Sequence, residues 1–360
     1  MSIYLDHNAT TPMLTQVLAA YQEVAVKPYN CSSVHGFGRQ AKAVLDTARQ
    51  TILKTLNAQG GSLVFTATGT EANDLALYGL RGYQDLFVGA TEHISILEPA
   101  KELQANIIPV DQNGIIQTDT LDRLLTGSKK PLVSIQLANN ETGVIQPIAA
   151  LAEIVFKHHG FLHVDASQAV GKIAVDITEL RADLITISGH KCGAGQGAAA
   201  LIYKKGLEFD AQFIGGGQEK RLRAGTENIA AIGAFATAVE LAKPVSNQLQ
   251  TYLENALPEA VIFSANAPRL PYTTLLAMPN IVAETQLMEY DLAGLCVSSG
   301  SACSSGKVGA SHVLDAMGVP AVIAKCAIRV STHHETTPED IDHFISAWQR
   351  LYHRLKKEAA

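Results

Sequence analysis

A lysine stands in a glycine-rich turn at the end of a predicted strand, within the sequence SGHK at residues 188–191. A lysine in such a turn is usually a solvated surface charge. It becomes a nucleophile when a partly buried pocket lowers its pKa, because a Schiff base forms only from the neutral amine. Ser188 and His190 would add a hydroxyl and an imidazole donor for a phosphate. Lys191 is therefore either a surface cation or a Schiff-base amine.

A cysteine among small residues is the second candidate, within the sequence SSGSACSSG at 298–306. A cysteine in an apolar strand is normally an inert packing residue, and the neighbours of Cys296 and Cys326 indicate that role for both. The Ser and Gly residues around Cys303 predict instead an exposed, mobile loop with an accessible thiol. We therefore expect Cys303 to be reactive.

A carboxylate ends a predicted buried strand, in the sequence HVDASQ at 163–168. His163 and Asp165 share one face of that strand by period-two alternation. A carboxylate there is costly unless a cation pairs with it. A protonated pyridine nitrogen is such a cation, and this pair is an expected part of a pyridoxal phosphate (PLP) site. The alternative is an Asp that caps the following loop, and the segment alone does not separate the two.

Two further segments carry anion-binding chemistry. In the sequence TATGTEAN at 66–73, Gly69 would let the backbone approach a ligand, and Thr70 with the first helical N–H groups would face an anion. The alternative is an ordinary turn with a helix cap. Arg329 lies between β-branched residues, and its guanidinium suits bidentate capture of a substrate carboxylate. The alternative there is a salt bridge on an edge strand.

Alternating short apolar runs and helical patterns between about residues 40 and 240 position these groups. The alternation predicts an α/β fold, a mostly parallel sheet with helices on both faces. Polar turns at the carboxyl ends of its strands then meet on one rim, where open α/β sheets bind ligands. The predicted strands are 63–66, 85–90, 132–137, 161–165 and 183–188, and the predicted helices are 71–80, 94–103 and 147–159.

A boundary is predicted near residue 243, in the sequence KPV. We expect a large domain over 13–243 and a smaller α+β domain, formed by 1–12 and 244–360, that carries the cysteine loop. The last helix should run from Pro338 to about residue 357. Thr337 is a good N-cap and Asp340 completes a near-capping-box.

Composition excludes several classes of protein. The chain has 360 residues, 28 Lys and Arg, and 34 Asp and Glu, for a net charge of −6. That charge disfavours a nucleic-acid partner or a polybasic membrane anchor. No apolar run is long enough to span a bilayer, and no secretory signal is visible. Five cysteines without a CxxC pair, and no zinc-type spacing, predict a reduced cytoplasmic protein without a bound metal.

These segments together resemble the cysteine desulfurases, class V members of the fold-type I PLP enzymes. The resemblance runs nearly end to end, and the order and spacing of its motifs make it specific. The long serine-rich cysteine loop resembles the subgroup that serves iron–sulfur cluster assembly and tRNA thiolation. Besides the segments above, the resemblance rests on YLDHNATTP (4–12), NCSSVHGFGR (30–39), TEH (91–93), NNETGVIQP (139–147), GGGQE (215–219) and RAGTEN (223–228).

The resemblance implies PLP as cofactor, L-cysteine as substrate, and a homodimer. It also implies a persulfide acceptor protein, such as an iron–sulfur scaffold or a thiolation carrier. Lys191 would be the Schiff-base lysine, His93 a proton carrier stacked on the ring, and Cys303 the sulfur acceptor. Asp165 would pair with the pyridinium nitrogen, and Gln168 would bond the phenolic oxygen. The substrate carboxylate would be held by Asn140 and Arg329. The phosphate would be bound by Gly69, Thr70, Ser188 and His190, with Thr226 reaching in from the partner subunit.

The sequence departs from the family pattern at several positions. Cys31 stands where the family often has proline, so the stiffness of that loop should differ; an added redox role is a less favoured alternative. Gln196 replaces a cation in the loop after Lys191, and His333 stands where glycine is usual. A selenocysteine lyase or a class V aminotransferase would share the PLP contacts without needing Cys303. A catalytically idle scaffold for a cluster-assembly partner is the alternative outside enzymes.

Overall fold

The structure is a computed structural model that describes residues 2–300 and 311–358. Short 3-10 turns at Gly189–Lys191 and Gln218–Arg221 join some of its elements. The strands are β1 (Ile3–Tyr4), β2 (Gly61–Thr66), β3 (Leu86–Gly89), β4 (Asn106–Ile108), β5 (Leu132–Gln136), β6 (Phe161–Asp165), β7 (Leu184–Ser188), β8 (Ala199–Lys204), β9 (Val261–Ile262), β10 (Thr273–Ala277), β11 (Leu295–Cys296), β12 (Ser298–Ser299) and β13 (Ala327–Ser331).

The helices surround these strands in sequence. One of them, α3, continues directly into a π-helix at Leu75–Gly79. The helices are α1 (Thr15–Ala25), α2 (Gly36–Thr55), α3 (Gly69–Asp74), α4 (Ile94–Glu102), α5 (Thr118–Leu125), α6 (Ile148–Lys157), α7 (Ile177–Leu180), α8 (Ile229–Leu241), α9 (Gln248–Ala256), α10 (Ala283–Leu292), α11 (His312–Ala316), α12 (Ala321–Ala324) and α13 (Pro338–Glu358).

A large sheet dominates the described part of the chain, with seven strands in the order β2-β8-β7-β6-β5-β3-β4. Strands β3 to β7 are parallel, whereas β8 runs antiparallel to both of its neighbours. The predicted α/β fold with a mostly parallel sheet is confirmed. Strand β8 was not predicted; the chain turns back after β7 through a short glycine-rich connection, which permits antiparallel pairing.

Both faces of the large sheet are buried against helices. Along β2, Leu63 and Phe65 lie in the core that also contains residues of α2 and α8, while Val64 lies in the core of α3 and α4. Successive side chains of a strand point to opposite faces, so one apolar run can serve both cores. The same burial on both faces explains why these strands read as continuous apolar runs.

A smaller antiparallel sheet, in the order β12-β13-β10-β9, packs against the C-terminal helix. That helix begins at Pro338, as predicted. Thr337 Oγ1 accepts the N–H of Asp340 at 3.2 Å, and the Asp340 carboxylate accepts the N–H of Thr337 at 2.9 Å. This reciprocal capping satisfies two otherwise unpaired donors, and Trp348 of the same helix is fully buried.

The first residues of the chain pack against the smaller sheet. Strand β1 pairs with β11, and Asp6 forms a bridge with Ser331 at the end of β13. Leu5 belongs to the core of the smaller sheet. These contacts are those expected of a domain formed by 1–12 and 244–360, although the division at 243 stays a prediction. Within the described residues, no helix is both long and apolar enough to cross a membrane.

Candidate active site

The polar turns that follow β2, β5, β6 and β7 surround one cavity of about 400 Å³. The structure brings together ten of the residues expected there from the sequence. Thr226 is exposed and does not line this cavity, and its action on a partner subunit stays a prediction. Cys303 lies outside the described residues. The ten are Gly69, Thr70, His93, Asn140, Asp165, Gln168, Ser188, His190, Lys191 and Arg329.

Lys191 ends the 3-10 turn that follows β7. Glycine at position 189 permits this tight turn, because a Cβ there would lie only 2.7 Å from the backbone oxygen of Ala198. The side-chain amine of Lys191 donates a hydrogen bond to the backbone oxygen of Asn8 at 2.9 Å. The lysine is therefore held inside the cavity rather than extended as a surface cation.

Asp165 ends β6 and is 7% exposed. Its Oδ1 accepts the N–H of Ser167 at 2.9 Å, and its Oδ2 accepts a hydrogen bond from Asn73 at 3.1 Å. Asn73 was quoted in a motif but given no role by the sequence analysis. It donates to Ser95 as well, at 2.9 Å, and so links the carboxylate to the start of α4. Both proposals for Asp165, loop cap and partner of a cation, are compatible with these bonds.

The start of α3 forms a cradle of hydroxyl groups. Thr68 caps the helix by accepting the N–H of Glu71 at 3.1 Å. A Cβ placed on Gly69 would lie 3.4 Å from the Ser167 hydroxyl and 3.6 Å from the Ser188 hydroxyl. Glycine thus leaves open a space bounded by two hydroxyl groups, at the positive end of a helix dipole. Such a space suits an anion.

His93 caps α4, with its Nδ1 accepting the N–H of Ser95 at 3.2 Å. Burial lowers the pKa of His93, and the neighbouring Lys191 and His312 lower it further against the opposite effect of Asp165. His93 is consequently neutral at neutral pH. The ring of His93 lines the cavity, where a neutral imidazole can exchange protons.

Arg329 is 3% exposed and lies on β13, an interior strand of the smaller sheet. The alternative of a salt bridge on an edge strand is therefore wrong about the strand. Arg329 Nη2 does pair with Asp6 Oδ1 at 2.5 Å, and Nη1 donates to the backbone oxygen of Asn140 at 2.8 Å. Among the residues that the structure describes, its buried Nε has no hydrogen-bond partner. Two neighbouring groups thus orient the guanidinium while leaving donors available to a ligand.

His163 serves the interior of the sheet instead of the cavity. Its Nδ1 lies 2.8 Å from the Ser134 hydroxyl, and its Nε2 lies 3.0 Å from the Thr186 hydroxyl. Burial lowers the pKa of His163 to about 4, against the opposing charge of Asp165. A neutral ring that bridges β5, β6 and β7 fixes the spacing of the strands on which the cavity depends.

Asn8 has a role at the cavity that was not predicted from the sequence. Its backbone oxygen accepts hydrogen bonds from Lys191 at 2.9 Å and from Gln168 at 3.0 Å. Its side chain donates to Thr273 at 3.0 Å and to the backbone oxygen of Asn140 at 3.1 Å. The only signal in the sequence was the family motif at 4–12, which gave this residue no task. Asn8 joins the two sheets at the cavity.

A second lysine, Lys172, also lies near the cavity without having been predicted there from the sequence. It is 2% exposed, and its amine donates to the oxygens of His7 (3.2 Å), Asn8 (3.4 Å) and Gln168 (3.3 Å). Burial lowers its pKa well below the usual value, and the charges of Lys191 and Arg329 act in the same direction. Lys172 therefore holds the N-terminal segment and Gln168 in place behind the cavity.

Cys31 does not have the environment of a redox thiol. It is half-buried against the core of the large sheet. Burial, together with the nearby carboxylates of Glu227 and Asp46, raises its pKa to about 11. The thiol keeps its proton at neutral pH, and the thiolate is the reactive form. Within the described residues, no group of His, Cys, Asp and Glu is arranged to hold a metal ion.

Comparison with known proteins assigns the chain to a family. Residues 3–344 match the model of the family "Aminotransferase class-V". The chain is 34% identical to "Cysteine desulfurase IscS" of Dictyoglomus turgidum, covering 98% of this chain and 95% of that protein. It is 36% identical to "Cysteine desulfurase 2" of Trichormus variabilis, covering 98% and 94%.

A solved structure agrees with these relatives. The NifS-like protein from Rickettsia africae superposes with a TM-score of 0.91 at 39% identity, covering 98% of this chain and 99% of that one. A second NifS-like protein gives a TM-score of 0.88 at 30% identity. The chain therefore belongs to the aminotransferase class-V family and, within it, to the cysteine desulfurases.

Proposed function

We propose that this protein is a PLP-dependent cysteine desulfurase that converts L-cysteine and the Cys303 thiol into L-alanine and a Cys303 persulfide. The observation that supports it most is the meeting of Lys191, Asp165, the Gly69 cradle and Arg329 around one cavity. The reaction balances without an added oxidant or reductant. The carbon–sulfur bond of the substrate breaks, a sulfur–sulfur bond forms, and the Cys303 proton is matched by the one that completes the methyl group of alanine.

The residues present fit PLP. The open space at Gly69, between hydroxyl groups at a helix start, suits the phosphate, with Thr70 and His190 as further donors. The buried Asp165 carboxylate suits a protonated ring nitrogen, and the amine of Lys191 suits the carbonyl carbon. When bound, PLP supplies a sink for the electron pair released at the substrate Cα.

The chain's own side chains would move the protons. Lys191, displaced by the substrate amine, would take the proton from the substrate Cα. His93, neutral because burial lowers its pKa, would carry a proton to the product. Arg329 would bind the substrate carboxylate with the donors that Asp6 and Asn140 do not occupy. Because Arg329 is buried, that ion pair would be stronger than the same pair in water.

Cys303 lies within reach of this cavity by chain length. Gly300 lines the cavity, and Cys303 follows it by three residues. Three residues span at most roughly 10 Å, so chain length allows the thiol to meet the reacting sulfur. The persulfide would then pass to an acceptor protein, such as an iron–sulfur scaffold or a thiolation carrier. We further propose a homodimer in which Thr226 completes the phosphate cradle of the partner subunit.

The test separates the lysine from the cysteine. Lys191→Ala should abolish the visible absorbance of the bound cofactor and all activity, because no amine remains to hold it. Cys303→Ser should keep that absorbance and the spectral change on adding L-cysteine, yet form no persulfide and little alanine. Alanine and persulfide are measured after mixing each protein with L-cysteine.

Other outcomes favour the alternatives. Full alanine and sulfide production by Cys303→Ser would refute the role of Cys303. If that variant acts on selenocysteine as well as the wild type does, selenocysteine lyase becomes the better description. Transfer of the amino group to an added 2-oxo acid would instead identify an aminotransferase.

A further inference from the structure

A buried carboxylate outside the cavity contacts both ends of the segment that carries Cys303. Glu141 is 2% exposed and does not line the cavity. It lies in the turn after β5, where Asn139 Oδ1 accepts the N–H of Glu141 at 2.9 Å and that of Thr142 at 2.8 Å. Asn139 also donates to the backbone oxygen of Thr91 at 3.1 Å. The backbone beneath the Glu141 side chain is thereby fixed.

The Glu141 carboxylate meets the residue that follows the segment 301–310. The Ser311 hydroxyl donates to Glu141 Oε2 at 2.6 Å and accepts the N–H of Leu314 at 3.0 Å, which makes it the cap of α11. Hydrogen bonds to a buried ionised group are among the stronger ones in proteins. This bond ties the start of α11 to the turn after β5.

The same carboxylate abuts the residue that precedes the segment. A Cβ on Gly300 would lie only 2.7 Å from Glu141 Oε2 and 3.3 Å from a methyl of Leu275. Gly300 follows β12, whose residues pair with β13, with Ser298 opposite Arg329. One carboxylate oxygen therefore contacts both the departure point and the return point of the ten residues 301–310.

The charge around Glu141 is consistent with a carboxylate that stays in place. Burial raises the pKa of Glu141 to about 7, while the Ser311 hydroxyl and the Arg329 guanidinium oppose the rise. Arg329 acts on it from β13, and Ser311 from the start of α11. The guanidinium in turn pairs with Asp6. Glu141 thus has one cation and one hydroxyl to hold it.

We propose that Glu141 is a positioning residue for sulfur transfer: it binds Ser311 and packs against Gly300, the two residues that flank the segment 301–310, which contains Cys303. This inference rests on the proposed function, because Glu141 would act through Cys303. A positioning role for Glu141 predicts different requirements for ligand binding and for sulfur transfer. Binding of the cofactor and of L-cysteine depends on the cavity, whereas the attack of the thiol depends on the anchors outside it.

The test compares Glu141→Ala and Glu141→Gln with the wild type. Measured above pH 7, where Glu141 is ionised, Glu141→Ala removes the acceptor for Ser311 and should slow single-turnover persulfide formation by about tenfold to 150-fold, the value of one hydrogen bond to a charged group. Glu141→Gln keeps an oxygen acceptor and should lose less. Cofactor absorbance and the concentration of L-cysteine that gives half of the spectral change should stay at wild-type values in both.

A matched control uses the other helix cap that bonds a carboxylate. In Thr337→Ala, the cap of α13 and its bond to Asp340 are lost, but nothing near Gly300 or Ser311 changes. That variant should form persulfide at the wild-type rate. Ser311→Ala, in contrast, should reproduce the defect of Glu141→Ala, and combining the two should add little further loss because both remove the same bond.

The possible results test the proposed function and the positioning role of Glu141 separately. If wild-type protein forms no persulfide on Cys303, the proposed function itself fails. If the wild type does so and Glu141→Ala matches its rate, the positioning role is refuted while the function stands. Loss of cofactor absorbance or of L-cysteine binding in proportion to the rate would also refute it, because Glu141 would then be a general structural residue.

Discussion

Replacing Arg329 by lysine keeps the positive charge in the cavity but removes the forked geometry of the donors. The guanidinium has five N–H donors. One is bound by the backbone oxygen of Asn140 and one by Asp6, which leaves three. Two of those three can bind the two oxygens of a substrate carboxylate. A lysine ammonium has three donors, so keeping the same two neighbours leaves one for the substrate.

Arg329→Lys should therefore lose one charge-assisted hydrogen bond to L-cysteine. Such a bond contributes about 1.5–3 kcal/mol, which corresponds to a roughly tenfold to 150-fold rise in KM. The carboxylate is bound equally before and during the reaction, so kcat should change much less. Initial rates of alanine formation, measured over a range of L-cysteine concentrations, give both constants.

A matched control is available in the same protein. Arg269 forms a two-pronged ion pair with Glu254, at 2.8 Å and 2.9 Å, and lies outside the cavity. Arg269→Lys should cost some thermal stability without moving KM. An unchanged KM in Arg329→Lys, or an equal rise in both variants, would contradict the assignment of Arg329 to the substrate carboxylate.

Two further predictions concern the buried lysine and the subunit contact. Because the pKa of Lys172 is lowered, the unfolded chain binds one more proton than the folded chain between that lowered value and 10.5, so folding stability rises with pH there by up to about 1.4 kcal/mol per pH unit. Thermal denaturation across that range should show the rise in the wild type and not in Lys172→Met, and parallel curves would contradict it. Mixing Thr226→Ala with Lys191→Ala subunits should restore activity if Thr226 acts on the partner's site, since the hybrid then has one intact site. No restoration would place Thr226 in its own subunit's site or outside the site.

The parts of the fold that are local in sequence were predictable. Asp165 and Lys191 each follow a short apolar run, and the turn types after these runs mark the ends of parallel strands. The cap at Thr337 is equally local, because its partner is three residues away. In each case the residues that make the structure are neighbours in the chain, so a pattern within a short window contains the whole signal.

Contacts across the chain were not predictable in the same way. Asn8 and Lys191 are 183 residues apart, and Lys172 reaches back 165 residues to His7. Nothing in either local sequence specifies the other. The alternative that placed Arg329 on an edge strand was wrong for a related reason. Its strand is interior only because Ser298–Ser299 forms a strand beside it, and two residues are too few to show a period.

The bridge between the first residues and β13 also constrains the order in which the chain can assemble. Synthesis proceeds from the N-terminus, yet Asn8 bonds the Ser331 hydroxyl through its N–H at 3.0 Å. This bond therefore cannot form until almost the entire polypeptide has emerged from the ribosome. The attachment of Asn8 to the smaller sheet is made late, whereas its bonds to Gln168 and Lys191 join it to residues that are synthesised much earlier.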